Sequence, residues 1–330
     1  MTDRVRRLVS RFTAAAAAGL GTLLVLGAVR ASEDRATGTS PASANASAAP
    51  SPNPAASQSP GPSPSPAASP SARPAPRARR CPSDMVLAHG VCVDRFEASM
   101  VDKDSNQPLS PYYPPQTRLL REVWQAWELD APLFGTEGPR RMPLPELPEW
   151  QRTHAFEAKA VSRAGVVPQA YVPYPIAKRA CENAGKRLCS RDEWVAACKG
   201  QTQTKFPYGE SFERSKCNVW GFVHPGVVLH QGASFGHRDP RLNLVATEGG
   251  KQPLLRRTGA TPTCKSGWGD DGIYDMVGNV DEWVDGERPE FVGGFYARST
   301  SNGCEARVTN HAPMYYDYSI GVRCCRDARD

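Results

Sequence analysis

The stretch from Asp271 to Gly286, with the sequence DGIYDMVGNVDEWVDG, combines a tight turn with acidic side chains. Gly278 and Asn279 predict the turn, because these residue types accept the positive backbone angles that two-residue turns require. Glu282 follows the turn closely, and a carboxylate beside turn carbonyls is a ligand set suited to a hard cation such as calcium. A buried turn beside a solvated Glu282 explains the same residues, and the pattern leaves both interpretations open.

The ten cysteines are the second group of residues with defined chemistry. An even number of cysteines behind an apolar leader predicts a disulfide framework formed in an oxidising compartment. The sequence contains neither C-x-x-C nor H-E-x-x-H, so a zinc site is not favoured. All ten lie beyond residue 80, at Cys81, Cys92, Cys181, Cys189, Cys198, Cys217, Cys264, Cys304, Cys324 and Cys325.

The positive charge of the chain is concentrated in its first 80 residues. They carry ten arginines and three acids, a net charge of +7, whereas the whole chain has a net charge of +6. Residues 81–330 therefore sum to about −1. Because a nucleic-acid-binding protein places its basic surface on the folded part, the sequence argues against nucleic acid as a partner.

Residues 1–80 have the composition of export and spacer segments. A basic start, an apolar run and a small-residue pattern predict a signal peptide or an uncleaved signal anchor over residues 1–31. Residues 32–80 are rich in Ser, Pro and Ala, with little apolar surface to bury, so we expect a disordered linker. A stalk in the cell envelope and a generic low-complexity segment are both consistent with it. The protein is therefore expected to be periplasmic, secreted or attached to the membrane through its N-terminal segment alone.

The folded part, residues 81–330, is expected to contain short elements. β-Rich runs on either side of His89 and Gly90 predict a hairpin within residues 81–99. Proline-rich residues 100–155 predict a long insertion that includes a helix near residues 119–129. Residues 291–325 are expected to form two strands about a long turn.

Two consecutive helices are expected in the middle of the chain. Apolar spacing predicts the first over residues 174–186, and Gly185 is placed to end it. Ser190 and Glu193 have the spacing of a capping box, which starts the second helix, and Gly200 ends it.

Several motifs in one order resemble the formylglycine-generating enzyme family, also called the sulfatase-modifying factor family. The resemblance covers most of residues 81–330 and implies the family's single α+β domain. This fold is a variant of the C-type lectin topology, with little regular secondary structure and much ordered loop. The motifs are AGKRLCSRDEWVAACKG, FPYGE, CNVWG, GIYDMVGNVDEW, VGGF and GVRCC.

The resemblance also implies disulfides and metal ligands. Two family cystines map onto Cys181 with Cys324 and Cys198 with Cys304. The remaining cysteines then suggest Cys81 with Cys92, Cys217 with Cys264 and Cys189 with Cys325. The family's calcium motif maps onto Val277, Gly278, Val280 and Glu282. Half of a second calcium site maps onto Asn218 and Val219, without a clear partner acid.

One departure from the family pattern bears on catalysis. Active members oxidise a substrate cysteine to formylglycine, using copper held by two thiolates that lie between the G-G-x-[WY] and C-x-A-R motifs. Here that interval is residues 295–303, FYARSTSNG, which contains no cysteine. Its hydroxyl and amide donors cannot replace thiolates as ligands of soft Cu(I), so copper is not expected. Iron is not expected either, because the family's iron-dependent sulfoxide synthases take histidine ligands from a helical domain not found in this sequence.

The sequence therefore favours a non-catalytic binding or structural module of the cell envelope. Its partner is expected to be a peptide, a glycan or another envelope ligand. A formylglycine-generating oxidoreductase or another divergent enzyme of the family is the alternative. Candidate residues for a groove, or for different chemistry within it, are Tyr296, Arg298, Asn302, Arg307 and Asn310. Hydrogen bonding within the loop is the favoured interpretation of these side chains.

Overall fold

Residues 80–129, 142–219, 223–232, 236–246, 252–298 and 300–329 are described by the structure, which is a computed structural model. The signal segment over residues 1–31, and the linker up to residue 79, lie outside these ranges and stay predictions. Among the described helices, none is both long and apolar enough to cross a membrane.

The helices are short and begin where the sequence supplies capping groups. In helix α4, Ser190 Oγ accepts a hydrogen bond from Glu193 N at 3.3 Å, and the Glu193 carboxylate accepts one from Ser190 N at 2.8 Å. This is the predicted capping box. Gly185 and Gly200 follow their helices with positive φ values of 67°, which glycine adopts without strain. The described α-helices are α1 (Thr117–Glu128), α2 (Glu149–Thr153), α3 (Tyr174–Asn183), α4 (Arg191–Lys199) and α5 (Pro225–His230).

Twelve short strands of the described residues form four small sheets. The orders are β1-β2-β12-β5, β10-β9-β8-β11, β3-β4 and β6-β7. All strand pairs are antiparallel except β8 with β11. The strands are β1 (Met85–Ala88), β2 (Val91–Asp94), β3 (Ala98–Asp102), β4 (Ala158–Ser162), β5 (Arg187–Leu188), β6 (Lys265–Trp268), β7 (Asp271–Tyr274), β8 (Asp281–Val284), β9 (Glu290–Val292), β10 (Arg307–Val308), β11 (Ile320–Val322) and β12 (Cys324–Asp327).

The predicted hairpin and the predicted C-terminal strands had different outcomes. β1 and β2 pair through the turn at His89 and Gly90, both with positive φ, as a two-residue hairpin requires. The expectation of two strands over residues 291–325 is wrong, because the segment contributes to four strands, β9 to β12, in two sheets. The loop between β10 and β11 changes the direction of the chain, so that β11 lies parallel to β8.

Five disulfides connect the small sheets to the helices. Each pair is one of those given in the preceding subsection, and the disulfide-rich α+β class with little regular secondary structure is confirmed. Cys324 and Cys325 are adjacent in β12 and reach two partners, one in α3 and one just after β5. The pairs are Cys81–Cys92, Cys181–Cys324, Cys189–Cys325, Cys198–Cys304 and Cys217–Cys264.

The apolar core is divided into packed clusters around two buried tryptophans. Trp194 of α4 lies in a cluster with Ile273 and Met276, whereas Trp283 of β8 lies in a second cluster with Ile320 of β11. Both indole rings are about 1% exposed or less. Each burial of a large aromatic side chain contributes on the order of 2 kcal/mol or more to stability. Strand β8 contributes Val284 to the first cluster and Trp283 to the second, so it is packed on both of its faces.

Candidate functional site

The turn before β8 is fixed by side chains from distant segments. Gly278 and Asn279 have φ values of 88° and 60°. A Cβ atom at Gly278 would lie 2.3 Å from the carbonyl oxygen of Asn218, so the close approach of the two segments requires glycine. The Asn279 side chain donates to Glu97 Oε2 at 2.7 Å and accepts from Asn218 Nδ2 at 2.9 Å. Asn218 therefore holds the turn in place.

The Glu282 carboxylate forms an ion pair and does not face an open site. Its Oε1 accepts from Arg323 Nη2 at 2.8 Å, and its Oε2 accepts from Arg323 Nε at 3.0 Å and from Trp194 Nε1 at 2.6 Å. Arg323 also donates to the carbonyls of Asp94 and Tyr274, both at 2.8 Å. The Glu282 carboxylate thus faces a guanidinium group and an indole N–H.

The predicted calcium ligands do not fit a calcium ion in this arrangement. The mapped set of Val277, Gly278, Val280 and Glu282 contains a single carboxylate, and Arg323 already neutralises it. In the second set, the Asn218 side chain donates to Leu254 O at 2.9 Å and to Asn279. The described residues contain no group of three or more His, Cys, Asp or Glu side chains suited to a metal ion. Calcium binding stays a prediction, and the function proposed below does not depend on it.

Buried acids surround the Glu282–Arg323 pair. Burial, together with the charges of Asp275 and Glu282, raises the pKa of Glu97 well above its ordinary value. Burial raises the pKa of Asp275 to about 6. Although burial opposes it, the neighbouring Glu282 holds the pKa of Arg323 above its ordinary value. One arginine therefore compensates several acids in the interior.

The five residues predicted to line a groove lie in different places. Tyr296 is fully buried and donates to Asn243 Oδ1 at 2.8 Å. Asn302 lines a polar pocket that also contains Lys199 and Lys205. Arg307 is exposed and lies 3.7 Å from Glu290, and Asn310 is exposed. Arg298 is thus the one member of this set that lines the cavity described next.

A cavity of about 360 Å³ opens beside the β8-β9 sheet, and we call it the aromatic groove. Most of its lining consists of rings, and few of its groups carry charge. The loop between β10 and β11 supplies five of its residues. The groove is lined by His237, Phe291, Phe295, Arg298, Val308, His311, Tyr315, Asp317, Tyr318 and Ser319.

The walls of the aromatic groove are fixed by stacking and hydrogen bonds. His311 stacks on Phe291, with ring centroids 5.5 Å apart, and on Tyr315, with centroids 3.9 Å apart. Tyr315 Oη donates to Asp317 Oδ2 at 2.6 Å. The backbone N–H and the hydroxyl of Ser319 donate to Asp317 Oδ1 at 2.8 and 2.7 Å. The polar side chains of this wall are therefore already oriented without a ligand.

Arg298 lies against a buried carboxylate. Its Nη2 donates to Asp281 Oδ1 at 2.6 Å, and Gly294 N donates to the same oxygen at 2.9 Å. Asp281 is fully buried, and its Oδ2 has no hydrogen-bond partner in the described residues. Burial raises the pKa of Asp281 to about 7, against the opposing effect of Arg298. Buried, perturbed carboxylates beside a cleft are characteristic of functional sites, though ion-pair networks also produce them.

Asp281 makes the stability of the domain depend on pH. Its carboxyl has an ordinary pKa of 3.8 and a folded pKa of about 7, so between these values the folded state holds a proton that the unfolded state has lost. Stability is therefore expected to fall as pH rises from about 4 to about 7, by up to about 1.4 kcal/mol per pH unit from this group.

The substitution Asp281→Asn tests this effect, because it removes the titration and keeps the shape. Urea unfolding measured between pH 4.5 and 7.5 is expected to show a shallower fall for Asp281→Asn than for the wild type. Asp192, with a side chain 96% exposed, provides the control Asp192→Asn, which is expected to follow the wild type. Equal slopes for Asp281→Asn and the wild type would contradict the assignment.

Sequence reasoning missed His237, Tyr315, Asp317 and Tyr318. The segment MYYDYS, which ends at Ser319, carries three of them. It has neither helical nor strand periodicity, and it was included in a predicted long turn. Its density of aromatic residues beside an acid was the available signal, because loops that carry such residues often form binding sites.

Comparison with protein families matches residues 88–328 to the sulfatase-modifying factor enzyme 1-like domain. No curated protein shows significant sequence similarity to the chain. Solved structures with a similar fold include PvdO from Pseudomonas aeruginosa, at 16% identity, covering 72% of this chain and 80% of that one, with a TM-score of 0.33. The U1 variant of the Major Tropism Determinant has 15% identity, covers 76% and 54% of the two chains and has a TM-score of 0.37.

The family match agrees with the family that the motifs imply. The described residues form a mixed α+β, disulfide-rich domain of the sulfatase-modifying-factor type. The family match covers most of the described residues, including the turn at Gly278, the groove and four of the five disulfides in full. The chain therefore belongs to the sulfatase-modifying factor enzyme 1-like domain family.

Proposed function

We propose that this domain is a non-catalytic binding module that works outside the cytoplasm and uses the aromatic groove to hold its ligand. The observation that carries the proposal is the state of the cysteines. All ten are described, and all ten form disulfides. Five disulfides are typical of proteins that fold in an oxidising compartment.

Among the described residues, no cysteine is free to supply the thiolates that the active family members use. Residues 295–303 contain no cysteine, and Cys304, which follows them, is bonded to Cys198. Cu(I) is a soft ion that binds thiolates. A sulfur in a disulfide carries no thiolate charge and cannot replace such a ligand. The groove at this position instead presents rings and pre-oriented polar groups, as a small-ligand site does.

A second candidate function is an enzyme with a different reaction in the same groove. The observation that favours it is Asp281, whose pKa is raised to about 7 by burial and which contacts the groove residue Arg298. A group that titrates near neutral pH beside a cleft suits acid or base catalysis. The binding module remains preferred, because Arg298 separates the Asp281 carboxylate from the groove.

The first test uses the full oxidised chain, with elemental analysis, a thiol count under denaturing conditions and a formylglycine assay on a cysteine-containing peptide with added copper. We expect no stoichiometric copper or iron, no free thiol and no formylglycine. An active family member serves as the positive control for the assay. Formation of formylglycine, or a pair of free thiols, would overturn the proposal.

The same elemental analysis tests the calcium prediction. A stoichiometric calcium ion that is lost in the variant Glu282→Gln would establish Glu282 as a ligand. It would also require that the ion pair between Arg323 and Glu282 separates when calcium binds. Calcium that persists in the variant would place the ion elsewhere in the chain.

A further inference from the structure

We propose that the aromatic groove recognises a monocarboxylate carried on an apolar body of about one ring, with Arg298 as the carboxylate-binding residue. This inference rests on the proposed function and narrows it to a ligand class. Its basis is the number of hydrogen-bond donors and acceptors that the groove leaves free.

Arg298 provides free donors in a fixed orientation. Its Nη2 is held by Asp281 Oδ1 at 2.6 Å, whereas Nε and Nη1 have no hydrogen-bond partner among the described residues. The side chain is 33% exposed, and it lines the groove. A guanidinium held at one nitrogen is restricted in orientation, and its remaining N–H groups match the two oxygens of a carboxylate.

The acids of the groove have little capacity left to accept a ligand's donors. Asp317 has both oxygens engaged, Oδ1 by Ser319 and Oδ2 by the Tyr315 hydroxyl. Asp281 is fully buried behind Arg298. Apart from the imidazole rings of His237 and His311, which can donate or accept, a ligand therefore meets the free donors of Arg298 and few free acceptors, which favours an anion over an amine.

The same acids limit the charge of that anion. Asp281 and Asp317 both lie near the guanidinium, since Asp281 pairs with it and the charge of Asp317 raises the pKa of Asp281. A phosphate dianion would meet stronger repulsion from these two carboxylates than a singly charged carboxylate would. Arg298 is the one arginine of the lining and Asp281 already offsets part of its charge, so the charge left for a ligand suits a singly charged group better than a dianion.

The ring walls indicate the body that carries the carboxylate. Phe295 lies under Arg298, with 5.6 Å between Cζ and the ring centroid, and Tyr318 meets Phe295 edge-on at 5.6 Å. Val308 and Phe291 add apolar surface to the lining. A cavity of about 360 Å³ is at the small end of ligand pockets, so a ring-sized group fits better than an extended chain.

Binding of four matched probes to the full oxidised chain tests the proposal, by NMR titration or calorimetry. The probes are phenylacetate, phenylacetamide, phenyl phosphate and phenethylamine. We expect phenylacetate to bind at least tenfold more tightly than each of the other three. A preference for the phosphate, the amide or the amine, or no binding by any probe, would overturn the inference.

Substitutions of Arg298 test whether the probes bind in the aromatic groove. Arg298→Gln and Arg298→Lys are both expected to weaken phenylacetate binding at least tenfold, because glutamine lacks the charge and lysine lacks the planar fork. The lysine variant keeps a cation beside Asp281, so it guards against a simple loss of folding, and thermal unfolding checks both variants. The exposed Arg307 provides the control Arg307→Gln, which should bind like the wild type. Unchanged affinity in Arg298→Lys would contradict recognition by the guanidinium.

The two proposals fail in different ways. Tight binding of the amine or the amide in the groove would reject the carboxylate class and leave the binding module intact. Formylglycine formation in the earlier assay would reject the binding module, whatever the four probes do.

Discussion

Removing the Cys181–Cys324 disulfide alone is expected to lower the free energy of unfolding by about 3 kcal/mol, although its cysteines are 143 residues apart. A loop of that length closed by one isolated bridge would be worth about 5 kcal/mol in the chain-entropy description. Here the neighbouring bridge Cys189–Cys325 closes nearly the same loop. Breaking one of the two therefore frees a loop of only about ten residues, which the same relation values at about 3 kcal/mol.

Removing both neighbouring bridges is expected to have a much larger effect than removing either one. With both absent, Cys198–Cys304 is the next bridge that restrains the segment, and the combined loss is about 6 kcal/mol. That amount is comparable to the whole stability of a typical domain. The fourfold alanine variant is expected to be unfolded or only partly folded at 37 °C.

Guanidinium unfolding of alanine variants measures these losses. The short bridge Cys81–Cys92, with a separation of 11 residues, is the matched control, and its removal should cost about the same 3 kcal/mol. A loss near 5 kcal/mol for Cys181–Cys324 alone would show that the two neighbouring bridges act independently.

Replacing Arg323 with methionine is expected to destabilise the domain by about 3 to 5 kcal/mol, because it leaves Glu282 buried without its counter-charge. Glu97 and Asp275 lose the same cation. The loss should be larger at pH 8 than at pH 5, since protonation relieves the buried acids. Denaturant unfolding at the two pH values measures both effects.

A second substitution separates the charge effect from loss of packing. The double variant Arg323→Met with Glu282→Gln removes both charges of the ion pair. No unpaired charge then remains at Glu282, so part of the lost stability should return. Arg118, with an 81% exposed side chain, provides the control Arg118→Met, which is expected to change stability by less than about 0.5 kcal/mol. Equal stability of Arg323→Met and the wild type would show that Arg323 does not compensate the acids.

Local patterns predicted the parts of the fold that local chemistry determines. The capping box at Ser190 and Glu193, and the turn at Gly278 and Asn279, depend on residues adjacent in the chain, and both occur where expected. The α1 helix was expected near residues 119–129 and spans Thr117–Glu128. The fold class followed from motifs that resemble one family, because periodicity alone does not distinguish this loop-rich domain from other mixed folds.

The candidate site depended on contacts that no local pattern contains. The sequence left Glu282 as a calcium ligand or a solvated side chain, whereas in the structure its carboxylate pairs with Arg323, 41 residues further along the chain. The stacked rings of Phe291, His311 and Tyr315 meet because the loop between β10 and β11 folds back over β9. Arg298 was identified from the sequence, whereas Asp281, the carboxylate that orients it, was not among the predicted groove residues.

The position of β12 has a consequence for the order of folding. This strand lies between β2 and β5 in its sheet, and Cys325 follows Cys189 by 136 residues. Until β12 has been synthesised, β2 and β5 each have an unpaired backbone edge on the side that β12 will occupy, and Cys181 and Cys189 remain reactive thiols. During that interval the nascent domain is most open to wrong disulfides and to strand addition by other chains. Its yield is expected to depend on a disulfide isomerase more than that of a protein whose bridges join neighbouring segments.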